Sequence, residues 1–112
     1  MTAHRTLRFN VNDLLINKDP NCDFSGLVPG SKGYLRAEFN FSSEWDGCAK
    51  VAAFYTRFGK ELSHAVLEDG KSCIVPEEAL KRKIFKVRVF GTNGDIVLPT
   101  NEVEVNQNGG TT

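Results

Sequence analysis

The sequence lacks any apolar run near the roughly 18 residues needed to span a bilayer. Its first residues, MTAHRTLRFNVN, include no apolar segment of signal-peptide length. An excess of one charge is also missing, because fourteen basic residues balance fourteen acidic ones. Electrostatics therefore gives no reason to expect a nucleic acid or an anionic membrane as the partner. We expect a chain that folds in a cytoplasm and binds neither.

Cysteine and histidine are scarce, with three and two residues. Cys22, Cys48 and Cys73 are odd in number, and no two of them have the close spacing of a metal-binding pair. A zinc site would need a fourth ligand from His4 or His64, and their spacing does not support one. We expect free thiols and no metal, with a Cys48–Cys73 disulfide as the less favoured alternative.

The motifs that carry catalysis are missing as well. Gly91, Gly94 and the pair Gly109-Gly110 lack the spacing and helix context of a phosphate-binding loop. No Gly-x-Ser-x-Gly segment occurs. His64 falls in a strand pattern. The pairs of acidic residues that could act as acid and base, Glu44 with Asp46, Glu68 with Asp69 and Glu77 with Glu78, fall at turns or at the helical turn. We predict that the chain is not an enzyme and needs no cofactor.

What the sequence does contain is a set of short alternating segments. Apolar and polar residues alternate from Leu35 to Phe41 with the period of two that a half-buried strand shows. Residues 42–47 break this pattern with turn-forming residues and carry the only tryptophan, Trp45. We expect Trp45 to fold back as a plug over one end of a β-core. Residues 51–55 have apolar side chains on both faces, which indicates a central strand.

Similar patterns along the rest of the chain predict an all-β fold. They cover residues 5–11, 61–67, 72–75, 84–90, 96–98 and 100–105, with turn signals between most of them. Pro76 followed by two glutamates predicts one short helical turn near 76–82. About seven to eight strands indicate an antiparallel sandwich or barrel over residues 1–105. Residues 106–112 contain no apolar anchor, so we predict a flexible C-terminal tail.

The inward positions of these patterns predict the structural core, and residues 17–33 are left as a long irregular segment. The core residues are Trp45, Phe39, Phe41, Phe54, Leu80, Phe85, Val87 and Val89. Long loops in small domains are uncommon and often functional. Phe24, Leu27 and Val28 within this segment either pin it to the core or dock on a partner. We favour the pinned loop.

Four segments together resemble small structural proteins encoded in phage and prophage morphogenesis clusters. The segments are FNFSSEWDGCAKVAAF, LEDGKSCIVPEEAL, FKVRVFG and LPTNEVEV, and they lie between residues 39 and 105. The pattern positions are Trp45, Asp46, Gly47, Lys50, Phe54, Asp69, Gly70, Cys73, Val75, Pro76, Glu78, Leu80, Phe85, Val87, Val89, Gly91, Thr100 and Asn101. The resemblance covers roughly residues 34–105, and the long segment of residues 17–33 has no counterpart in the pattern.

The resemblance implies an Ig-like β-sandwich that is a structural part of a virion and carries no catalytic residues. Such a protein would bind the capsid surface as a decoration or head-fibre attachment protein, with the major capsid protein as its partner. A baseplate or tail-fibre component, bound to a tail protein, is the first alternative. A carbohydrate-binding module with Trp45, Tyr34 and Tyr55 as its stacking platform is another, and a regulator of a host protein is a third. The zero net charge also permits a homo-oligomer.

Two pieces of the chain are the expected contact surface. One is the loop of residues 24–34, with Phe24, Leu27, Val28 and Tyr34 as candidate contacts. The other is the first strand, residues 5–11, which carries Arg8 and could add to the edge of a partner's sheet.

Overall fold

Two β-sheets stacked face to face form the protein, and the computed structural model describes residues 4–109. The strands are β1 (Arg5–Asn12), β2 (Leu15–Lys18), β3 (Leu35–Phe41), β4 (Ala49–Thr56), β5 (Glu61–Val66), β6 (Ser72–Ile74), β7 (Ile84–Asn93), β8 (Ile96–Pro99) and β9 (Val103–Asn106). The helix α1 spans Glu77–Leu80, inside the range predicted for a helical turn, and a 3₁₀ turn spans Ser43–Trp45. The predicted all-β sandwich is confirmed, with nine strands in the described residues instead of seven or eight.

The strands are divided between a four-stranded and a five-stranded sheet. The first sheet has the order β2-β1-β3-β6, and the second has the order β5-β4-β7-β8 with β9 also paired to β7. Strand β4 is central, as its two apolar faces predicted. Neighbouring strands are antiparallel except β1 and β3, which run parallel from the Arg5–Leu35 pair to the Val11–Phe41 pair. Since β2 returns the chain to the end where β1 begins, residues 19–34 cross past β1 to start β3.

The inward side chains of both sheets meet in one core. The first sheet contributes Leu7, Phe9, Val11, Leu35, Ala37 and Phe39, and the second contributes Ala52, Phe54, Phe85, Val87, Val89 and Val105, all of them buried. Leu80 of α1 is buried at the side of this core. The predicted core is therefore confirmed except at Phe41. That ring lies at the end of β3, is only half-buried, and packs 5.1 Å from the Trp45 ring, centroid to centroid.

Trp45 closes one end of the sandwich, as its position in a polar corner predicted. Its side chain has no exposed surface, and its Nε1–H donates a 2.8 Å hydrogen bond to the carbonyl oxygen of Asp13. The 3₁₀ turn aims the ring inward, with the Trp45 N–H bonded to the Ser42 carbonyl. On its other side the ring lies against Gly91 of β7, where an added Cβ would be 2.7 Å from Cζ3. The absence of a side chain at Gly91 makes room for the indole.

The turn at residues 68–71 is not the hairpin that its Asp-Gly pair predicted. It follows β5 in the second sheet and leads to β6 in the first, so it carries the chain between sheets. Gly70 adopts a φ of +79°, and the Asp69 carboxylate accepts hydrogen bonds from the N–H groups of Lys71 and Ser72. Asp-Gly gives the turn its local geometry, whereas the sheet that each flanking strand joins depends on packing.

The hydrogen bonds at this turn make stability depend on pH through Asp69. The Ser72 hydroxyl first, and then the two N–H groups, lower the pKa of Asp69 from 3.8 to about 2. Because the folded-state pKa is the lower one, the ionised carboxylate stabilises the fold above about pH 4, and this contribution is lost as the pH falls through about 2. We expect Asp69→Asn to reduce the free energy of unfolding by about 1 kcal/mol near neutral pH.

Urea unfolding of the wild type and the Asp69→Asn variant, repeated from neutral pH down to about pH 2, measures this effect. The difference between the two proteins should shrink over the lowest two pH units. A difference that is the same at every pH would contradict a role for the ionised carboxylate.

The prediction of a flexible tail from residue 106 is wrong at its start, because the first residues of that segment are held in place. Gln107 is buried, and its Nε2 donates to the carbonyl oxygens of Leu80 and Arg82 at 3.1 and 2.8 Å. The Asn108 N–H donates to the Leu27 carbonyl at 2.7 Å. Asn106 is the last residue of β9, and Gln107 and Asn108 are fixed by hydrogen bonds to α1 and to loops, a form of anchoring that needs no apolar residues. Residues 110–112 of the predicted tail lie outside the described residues.

Candidate functional site

The loop of residues 19–34 is held to the sandwich from several sides. The Arg5 guanidinium donates hydrogen bonds to the carbonyl oxygens of Asp23 at 2.9 Å and Ser25 at 2.6 Å. Phe24 packs edge-on against Phe9 of the core, with 5.4 Å between the ring centroids. Leu27 is buried. The interpretation of this segment as a pinned loop is confirmed for Phe24 and Leu27.

Hydrogen bonds within the loop and to the helix add to these anchors. The Asp23 carboxylate accepts bonds from the hydroxyl and the N–H of Ser25, and these bonds lower its pKa. The Gly30 N–H donates to the carbonyl of Leu80 at 3.0 Å. A loop fixed at so many points presents its remaining exposed side chains in a defined arrangement, which lowers the entropy lost when a partner binds.

A cavity opens where this loop meets the start of β3. It has a volume of about 200 Å³ and is lined mainly by Arg5, Leu27, Val28, Ser31, Tyr34 and Leu35. Val28 is 61% exposed and Tyr34 is 45% exposed at its rim. Ser31 Oγ is buried and has no hydrogen-bond partner in the part of the chain that the structure describes. We call this feature the loop cavity. It combines apolar side chains with the charged Arg5 and the unpaired Ser31 hydroxyl.

The predicted contact residues do not form one surface. Val28 and Tyr34 lie together at the loop cavity, whereas Phe24 and Leu27 are used to fix the loop. Arg8 lies apart on the outer face of the first sheet, where its Nε is 3.3 Å from Oε1 of Glu38. The idea that the first strand adds to a partner's sheet is wrong, because β1 lies inside the sheet, paired with β3 over residues 5–11 and with β2 over residues 9–12, while Cys22 bonds to the backbone of Thr6 and Arg8.

The stacking platform proposed for carbohydrate is wrong at its central residue. Trp45 is fully buried, so no sugar can reach its ring. Tyr34 is at the loop cavity, and Tyr55 is in β4 of the second sheet. The three rings therefore do not form one surface.

Arg5, Gly26, Ser31 and Leu35 line the cavity but were not among the predicted contact residues, although Arg5, Gly26 and Ser31 lie within the two predicted surfaces, residues 5–11 and 24–34. The sequence patterns placed Arg5 only as part of the first strand and Ser31 only as part of the long loop. Both reach the cavity only because the loop folds back over the beginning of β1. No local pattern in the sequence signals that return.

The described cysteines are free thiols, and the alternative Cys48–Cys73 disulfide is not formed. Burial raises the pKa of Cys73 to about 11, so its thiolate is scarce at neutral pH. Within residues 4–109 no group of three or more His, Cys, Asp and Glu side chains could hold a metal ion. Over the same residues, no helix has the length and apolar character required to cross a membrane.

Comparison with known proteins returned nothing, because no family model, no curated protein and no solved structure matches this chain.

Proposed function

We propose that this chain is a non-enzymatic structural protein of a phage virion that binds the major capsid protein as a head decoration or head-fibre attachment protein. The resemblance of roughly residues 34–105 to phage morphogenesis proteins supports this proposal. The residues that carry the resemblance have structural tasks here. Trp45 packs on Gly91, Asp69 and Gly70 form the turn between sheets, and Leu80 anchors α1. A pattern made of such residues specifies a scaffold, and the binding surface is then supplied by a loop.

The observation that carries the proposal is the loop cavity. Its volume of about 200 Å³ corresponds to several water molecules of about 30 Å³ each, which is room for one large apolar side chain of a partner. Val28 and Tyr34 at the rim would pack around such a side chain, and aromatic residues of this kind often dominate binding energy. A single contact of this size is weak. On a lattice of capsid protein, repeated or linked copies would strengthen attachment through avidity.

Val28→Asp tests this surface. The substitution places a carboxylate beside Tyr34 at the rim, and burying that charge against an apolar side chain of a capsid protein would be unfavourable. Since Val28 is exposed in the isolated protein, the fold should be unaffected. We expect incorporation into particles to fall at least about tenfold, equivalent to about 1.4 kcal/mol. Val97→Asp, which changes an equally exposed valine on β8, is the matched control.

Incorporation is measured by producing each variant from a plasmid during infection by the source phage deleted for this gene, followed by quantitative blotting of purified particles. Equal incorporation of the Val28 and Val97 variants would contradict the loop cavity as the contact. Wild-type protein absent from particles would contradict the virion role itself. Cryo-electron microscopy of the same particles then locates the protein, and density confined to the tail would replace the capsid assignment by the baseplate alternative.

A further inference from the structure

Strand β5 is an edge of the second sheet, and its outward backbone groups are unpaired. The Leu67 N–H donates a hydrogen bond to the Lys50 carbonyl of β4. This bond shows which residues of β5 direct their backbone groups toward β4 and which direct them away. In this antiparallel pairing the N–H and C=O groups of Ala65 point toward β4. The N–H and C=O groups of His64 and Val66 therefore point away from β4. No other described strand pairs with this side of β5.

The other sheet edges are protected, and this one is not. Strand β6 has three residues, and Asp69 accepts a bond from its outward Ser72 N–H at 2.7 Å. Strands β8 and β9 have four residues each and are interrupted after Pro99. Strand β2 is also short and carries Lys18. Natural proteins protect edges with short strands, lysine, proline and bulges. Strand β5 is longer, with six residues, and its segment Ser-His-Ala-Val at positions 63–66 contains no lysine or proline and lies after the bulge.

The side chains at this edge also favour pairing. Val66 is 60% exposed, and its register neighbours on the outer face are Val51 of β4 and then Phe90 of β7. This apolar row therefore continues to the edge and stops there uncovered. Beside the edge, an open cleft of about 430 Å³ separates Ala65 and Val66 of β5 from Ser72, Cys73 and Ile74 of β6.

We propose that β5 pairs antiparallel with β5 of a second copy of this chain, about a two-fold axis at Ala65. His64 of each copy would then lie opposite Val66 of the other, and the outward groups would form about four main-chain hydrogen bonds. The two five-stranded sheets would become one continuous sheet. This inference does not depend on the proposed virion role.

A second copy fits this edge better than an unrelated strand because the edge is complementary to itself. The outward positions His64 and Val66 flank Ala65 symmetrically, as an isologous contact requires. Residues 63–67, Ser-His-Ala-Val-Leu, carry no formal charge, so no like charges meet across their pairing. The chain as a whole also has a formal net charge of zero, which removes long-range repulsion between copies. An edge contact is smaller than the roughly 1,200 Å² of a stable interface, so the dimer should be weak.

Val66→Pro tests the hydrogen bonds of this edge. Proline removes the outward N–H of residue 66, and proline is tolerated on edge strands where that N–H faces solvent. Val66→Thr keeps the N–H and the branched shape and is the matched control. Sedimentation velocity of the wild type should show a dimer populated at roughly 100 µM, given the small contact. The threonine variant should behave in the same way, and the proline variant should show a dissociation constant at least about tenfold higher.

A cysteine at position 65 tests the register independently of the proline variant's folding. Ala65 would face Ala65 of the second copy in a non-hydrogen-bonded pair, with about 4.5 Å between Cα atoms, which a disulfide can bridge. Ala65→Cys is made in a Cys73→Ser background, since Cys73 lines the same cleft. Mild oxidation should give a cross-linked dimer. Ser63→Cys in the same background lies away from the two-fold axis and should give little cross-linked dimer. It also controls for disulfides formed through Cys22 or Cys48.

A wild-type protein that is monomeric up to roughly 1 mM would overturn the proposal, because even weak edge contacts populate a dimer there. Equal dimerisation of the proline and threonine variants would overturn the edge assignment. Equal cross-linking at positions 63 and 65 would overturn the two-fold axis at Ala65.

Discussion

Replacing Trp45 by alanine should lower the free energy of unfolding by about 3–5 kcal/mol, the range for a fully buried aromatic side chain. The ring has no exposed surface and closes the end of the sandwich between Phe41 and Gly91. Alanine would leave a cavity at this corner that the two sheets cannot collapse to fill, since each is fixed by its own ladder. The substitution also removes the donor for the Asp13 carbonyl.

Urea denaturation monitored by far-ultraviolet circular dichroism measures this loss without relying on the tryptophan itself. Phe58→Ala is the matched aromatic control, because Phe58 is 80% exposed and its removal should change stability by less than about 0.5 kcal/mol. If Trp45→Ala also changed the free energy of unfolding by less than about 0.5 kcal/mol, the indole would not be filling the corner.

Local patterns predicted most elements of this fold because strands such as β1, β3 and β7 each have one buried face. The alternation of Leu35, Ala37 and Phe39 follows from the pleat of a strand with a core on one side. Proline and two glutamates were enough to place α1. A lone tryptophan in a polar turn was enough to predict the plug, since burying so large a ring is favourable wherever the chain can bend to allow it.

Which elements become neighbours was not predictable from these patterns. The parallel pairing of β1 with β3 depends on residues 19–34 crossing past β1, and no local signal distinguishes that path from another hairpin. The passage of the chain from one sheet to the other after Asp69 was not predictable for the same reason, nor was the anchoring of Gln107. Each depends on partners that are distant in sequence and invisible to a short-range pattern.

The candidate site was predictable only in part for a related reason. Val28 stood out as an apolar residue in a polar loop, but so did Leu27, and only packing decided that Leu27 is buried and Val28 is exposed. The open edge at β5 could not be recognised at all from the sequence. An edge strand and a central strand can have the same alternation, and the difference is whether a neighbour exists.

Replacing Gly91 by alanine should lower the free energy of unfolding by about 2–3 kcal/mol, through overpacking against Trp45. An added Cβ would lie 2.7 Å from Cζ3 and 2.8 Å from Cε3 of the indole, and 3.3 Å from the Cβ of Cys48. Gly91 lies within β7 and does not have a positive φ, so alanine suits its backbone and the penalty is steric. The ring is held in place, because its Nε1–H is bonded to the Asp13 carbonyl and it packs on the Phe41 ring.

A double-mutant cycle with Trp45→Phe separates this clash from any general effect of alanine in β7. Phenylalanine lacks the second ring of the indole, and its smaller side chain can withdraw from residue 91. We therefore expect Gly91→Ala to cost less than about 1 kcal/mol in the Trp45→Phe background, so the cycle should give a coupling of about 1–2 kcal/mol. The four proteins are compared by urea unfolding at one pH. Equal penalties in the two backgrounds would mean that the indole does not limit residue 91, and the contact with Cys48 would then be the one that requires glycine.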